Sequence, residues 1–87
     1  MAVFIADCSV PGMAPEQLAG IHHAISDLSQ RYTTDGKPIR YLRSVLLPGE
    51  ARWLCLFEAP RAKTVQEVSE AVQLPVTQIV VAIEWTP

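Results

Sequence analysis

Three stretches of this chain lack the alternation of a half-solvated strand. Ala2 to Cys8, Trp53 to Phe57 and Ile79 to Ile83 carry large hydrophobes at odd and even positions alike, the pattern of strands covered on both faces. Two other stretches follow a helical period. Leu18, Ile21, Ile25, Leu28 and Tyr32 recur at spacings of three and four, with Glu16, His23, Asp27 and Gln30 on the opposite side, so a helix is predicted from Pro15 to about Tyr32. Pro15 suits the first helical position, Glu16 suits the positive end of the dipole, and Met13 is placed to staple against Leu18. Ala14 brings no oxygen for a cap. After Ala59-Pro60, a second helix turns Val65, Val68 and Val72 inward and Lys63, Gln66, Glu67 and Glu70 outward, and Pro75 stops it.

Two more strands follow from the turns. Asp35-Gly36 reverses the chain into Ile39 to Leu46, and Pro48-Gly49-Glu50 reverses it again into Arg52 to Glu58. Centring that hairpin on Gly49 sets Arg40 against Glu58, Tyr41 against Phe57, Leu42 against Leu56, Arg43 against Cys55 and Val45 against Trp53. The register slipped by one sets Ile39 against Glu58 and Ser44 against Trp53. The first pairs cation with anion and aromatic with aromatic, so it is the register expected. Thr77 to Glu84 makes the last strand. The order βαββαβ predicts an α+β ferredoxin-like sandwich, a four-stranded antiparallel sheet with two helices on one face, as a single domain over residues 1–87.

Two helices cover one face of such a sheet and leave the other apolar. A second copy of the chain is the expected cover, giving a homodimer or larger homo-oligomer of the α/β dimeric barrel type. Composition narrows the partners further. A net charge of −2, with seven Lys and Arg spread along the chain, argues against nucleic acid, which needs clustered cations. No apolar run approaches a membrane span and no basic segment precedes the first apolar residues, so a cytoplasmic protein without a membrane partner is expected. The two cysteines are expected as buried thiols.

Candidate chemistry is sparse. His22 and His23 are neighbours on a helix and point about 100° apart, so only one of them serves a given metal site. His22, beside the apolar stripe, is the candidate ligand. Cys8 and Cys55 fall in adjacent strands, Cys8 nearer Trp53 than Cys55, and neither has the partners of a nucleophile. The charges within strands must be paired or open to water. Arg40, Glu58 and Glu84 are expected together at one end of the sheet, whereas Arg43 faces no carboxylate and Asp7 is the only acid of the first strand. If register brings them to one face, Asp7, Tyr41, Arg43 and Trp53 line a ligand pocket of aromatic walls with one cation and one anion.

With the elements placed, Lys37-Pro-Ile-Arg-Tyr-Leu-Arg-Ser44, Pro48-Gly-Glu-Ala-Arg52, Leu56-Phe-Glu-Ala-Pro60 and Leu74-Pro75 before Ile79-Val80 resemble a family of small ferredoxin-like domains of unknown function, often described as nickel-binding proteins. The similarity runs from Pro11-Gly12 to Thr86-Pro87. The resemblance implies a dimer packed sheet to sheet. It also implies nickel or another divalent metal as a cofactor, with ligands near the end of the first strand and in both helices. Cys8 and His22 occupy two of those places, and residues 62–72 hold no histidine. The function expected is a non-enzymatic homodimer binding a small ligand or a divalent metal. The alternative is a small cofactor-independent enzyme of the dimeric-barrel type, a monooxygenase, isomerase or cyclase, with Asp7 or His22 as general base.

Overall fold

The computed structural model describes residues 1–87. Strand β1 (Ala2–Ser9) leads to helix α1 (Pro15–Thr34), a hairpin of β2 (Arg40–Leu47) and β3 (Arg52–Ala59), helix α2 (Ala62–Ala71) and strand β4 (Val76–Ala82). The strands form one antiparallel sheet in the order β2-β3-β1-β4. This is the ferredoxin-like βαββαβ sandwich expected from the pattern. Neither helix is long and apolar enough to cross a membrane.

Both helices pack on one side. Phe4, Ala6 and Cys8 of β1 and Trp53, Cys55, Phe57 and Ala59 of β3 are buried there with Leu18 and Ile25 of α1 and Val65 and Val68 of α2. The opposite side holds the other parity: Val3 and Ile5, Leu54 and Leu56, Val45 and Leu47, and Val80, all partly or largely exposed. That open face is the apolar surface the sequence pattern required.

Helix ends follow local chemistry. The Ala14 amide, lacking a side-chain cap, donates to Gln17 Oε1 at 2.8 Å, half of a capping box. At the other end of α2, Gln73 takes a left-handed conformation (φ 57°) and the Leu74 amide donates back to the Ser69 carbonyl at 2.9 Å, so the helix stops before Pro75 is reached.

The β2–β3 hairpin departs from the expected register. A 3₁₀ turn over Pro48–Glu50 is closed by Ala51 in the left-handed region (φ 51°). The loop therefore holds one residue more than a turn centred on Gly49. Leu47 consequently pairs with Arg52, Leu46 with Trp53, Val45 with Leu54 and Arg43 with Leu56. A bulge at Leu42 then absorbs the extra residue, and Tyr41 still meets Phe57 and Arg40 still meets Glu58. The aromatic and ionic pairs are kept, while the expected pairs Leu42–Leu56, Arg43–Cys55 and Val45–Trp53 are replaced.

Strand β4 also ends two residues earlier than expected, at Ala82. Glu84 is therefore outside the sheet. It pairs with Arg43 instead of joining Arg40 and Glu58.

Candidate functional site

The sheet sorts the polar side chains into two groups, one under the helices and one on the open face. Under the helices, Tyr41 lies against Phe57, ring centroids 5.2 Å apart. Its hydroxyl shares a 2.8 Å hydrogen bond with Nδ1 of His22 on α1. That bond orients the half-buried imidazole and leaves Nε2 for any outside partner, the arrangement by which a neighbouring group positions a histidine ligand. Burial pushes the Tyr41 hydroxyl well above the ordinary phenol range, against a smaller opposing contact from Ser44. It stays protonated and able to donate.

The two thiols lie on the same side of the sheet. Cys8 faces Trp53 across the ladder, and Cys55, facing Ala6, is its diagonal neighbour on the same side. Both are fully buried. The influence of one thiol on the other lowers Cys8, against the cost of burial, and raises Cys55, with burial adding to the rise. The Cys8 thiol also approaches the Ala6 carbonyl at 3.5 Å. The His22–Tyr41 pair and the two neighbouring thiols are thus polar groups set into the helix-side core.

On the open face the centre is Asp7, only 8% exposed. Arg52 grips it with two nitrogens, Nε to Oδ1 at 3.3 Å and Nη2 to Oδ2 at 2.9 Å, and Gln78 Nε2 donates to Oδ2 at 3.3 Å. The Arg52 hydrogen bond, helped by Gln78 and by the guanidinium charge, outweighs desolvation and holds the carboxyl below its ordinary value. Arg52 is correspondingly raised. Arg43, expected without a carboxylate, is paired with Glu84 of the C-terminal segment, and Arg40 bonds Glu58 at 3.3 Å as expected.

The four residues expected to share a pocket are therefore separated. Tyr41 and Trp53 lie on the helix side, while Asp7 and Arg43 lie on the open side. The bulge at Leu42 is the reason for half of this, because it sends Tyr41 and Arg43 to opposite faces although both are odd-numbered. Of the metal candidates, His22 is half-buried on Tyr41 and Cys8 is sealed in the core. No three His, Cys, Asp or Glu side chains of the chain lie together as a metal cage. Sequence reasoning missed Arg52 and Gln78 as partners of Asp7. The expected nearness of Cys8 to Trp53 carried a signal for Arg52, since pairing those two puts Ser9 opposite Arg52 and Asp7 one diagonal away. Gln78 depended on a β1–β4 register with an irregularity between Asp7 and Cys8, which no sequence pattern marks.

An antiparallel four-stranded sheet with both helices on one face and an uncovered apolar side defines the class: a small ferredoxin-like α+β domain. Within that class, the family model described as nickel responsive protein SCO4226-like matches residues 4–81, and the chain belongs to this family. Among solved structures, the crystal structure of SCO4226 from Streptomyces coelicolor A3(2) is similar over 98% of this chain and 100% of that one. Its TM-score is 0.80 at 21% identity. No curated protein matches the chain.

Proposed function

We propose that this chain works as a non-enzymatic homodimer, two copies packed sheet on sheet, that binds a small molecule beside the interface or a divalent metal at His22 on the helix side. The open face carries the reading. Val3, Ile5, Leu47, Leu54 and Leu56 are only half-covered by the chain itself, and Val45 and Val80 are 44% and 40% exposed. A second copy would remove this surface from water at about 25 cal/mol for each Å² of apolar area. The charges on that face support the same reading. Asp7 with Arg52, Arg40 with Glu58 and Arg43 with Glu84 are already paired, so covering them strands no lone charge.

The family's description brings nickel to this chain as the metal to test. One copy does not by itself fit a closed nickel site, because His22 has no two further His, Cys, Asp or Glu side chains beside it. A metal would need donors from outside the copy in addition to His22 Nε2. Asp7 supports binding over catalysis, since a carboxylate held by Arg52 and Gln78 with lowered proton affinity is a poor general base.

Multi-angle light scattering at low micromolar protein tests the assembly. Twice the mass of one chain is expected, and a particle of one-chain mass overturns the proposal. Equilibrium dialysis against micromolar nickel tests the metal branch. Retention that disappears in His22→Ala supports it, and fewer than about 0.1 ions per chain excludes it.

A further inference from the structure

A groove of about 530 Å³ runs between the last turns of α1 and the outer edge of β2. Ser26, Ser29, Gln30 and Thr34 form its helix wall and Ile39 and Tyr41 its strand wall. Ser29 sets this groove apart. It is 3% exposed, and its hydroxyl is the one buried side-chain polar atom in the protein without a hydrogen-bond partner. Such an atom costs free energy until something bonds it, and folded proteins keep few of them.

The strand edge adds two more bonding groups. Thr33 Oγ1 donates to the Ile39 carbonyl at 2.8 Å and accepts from the Ile39 amide at 3.1 Å, which fixes Ile39 as a residue whose backbone points away from β3. By the two-residue period of a strand, the amide and carbonyl of Tyr41 point the same way. Thr33 acts as the missing strand neighbour for Ile39. Nothing in α1 does so for Tyr41.

The wall chemistry selects the ligand. Apart from Arg40, whose guanidinium is held by Glu58 at 3.3 Å, every residue lining the groove is neutral. Hydroxyls and an amide line the groove together with the half-buried Tyr41. A molecule dense in hydroxyls, with one apolar ring face and no charge, satisfies both walls. We propose that this groove binds a neutral polyhydroxylated ring of the monosaccharide class, with Ser29 as its buried hydrogen-bond partner and Tyr41 as its apolar wall. The site stands on the helix side of the β2 edge and does not depend on the sheet-to-sheet dimer.

The test is a titration of the ¹⁵N-labelled full chain with D-glucose, D-ribose and myo-inositol, followed by amide chemical shifts, with glycerol as control. At least one ring is expected to give saturable shifts confined to residues 26–34 and 39–41, with Kd of about 1 mM or tighter. Ser29→Ala is expected to keep or raise the parent melting temperature and weaken that binding about tenfold or more. Thr34→Val, at the exposed rim, gives a second variant that leaves the buried packing alone and is expected to weaken binding as well. Linear shifts matching those of glycerol with all three rings overturn the proposal. So does saturable binding that neither substitution weakens.

Discussion

Tyr41 shows how one side chain can hold a site together without being its reactive group. Its ring packs on Phe57 and its hydroxyl holds His22. Tyr41→Phe keeps the packing and removes the bond, so a loss of about 1 kcal/mol is expected in urea denaturation. Asp7 is the opposite case, a residue whose charge matters. Its folded pKa lies below the unfolded value because Arg52 and Gln78 bond the carboxylate. Its contribution to stability is therefore fully present above the ordinary carboxylate range and is lost as pH falls through the lowered folded value. Asp7→Asn is expected to melt below the parent at neutral pH and to approach it in strong acid, checked by melting curves across that range. A gap that stays constant with pH would show that charge is not what Asp7 supplies. Gln73 pays for its left-handed backbone (φ 57°) with Cβ strain, so Gln73→Gly is expected to raise stability by about 1 kcal/mol in the same assay.

At the scale of elements, the β2–β3 hairpin carries the main lesson. The extra loop residue closed by Ala51 and the bulge at Leu42 cancel, leaving the Tyr41–Phe57 and Arg40–Glu58 pairs in place. Deleting Leu42 gives a regular ladder in which every other residue of β2 keeps its partner. Stability within about 2 kcal/mol of the parent is expected. Deleting Val45 also removes the bulge, but it turns Arg43 toward Cys55 on the buried side. A loss of at least about 3 kcal/mol is expected there, because an unpaired guanidinium enters the core. Urea denaturation of the two deletions ranks them, and equal losses would contradict the register described. Helix α1 was readable because its apolar period and its proline start agree. The hairpin was readable only at its aromatic and ionic end.

At the scale of the whole molecule, the open face makes the assembly the central question. Leu56 lies on that face, opposite Arg43 on one side and Ile5 on the other. Leu56→Lys places an ammonium in the proposed interface without entering the helix-side core. Light scattering is expected to show monomers while circular dichroism keeps the parent spectrum, with the dimer weakened by about 2 kcal/mol or more. An unchanged dimer would move the contact to another surface.

Hydrophobic period and turn residues act over a few neighbours, so the βαββαβ order, the two helix faces and the apolar character of both sheet faces are written in the chain itself. Which polar side chains meet follows from how the strands pack. A single bulge at Leu42 separates Tyr41 from Arg43, an early end to β4 carries Glu84 to Arg43, and the β1–β3 and β1–β4 registers together enclose Asp7 between Arg52 and Gln78. Each of these depends on where one strand slides against another. Side chains exchange faces for every one-residue shift, so a pattern that fixes the elements still leaves the chemistry between them open.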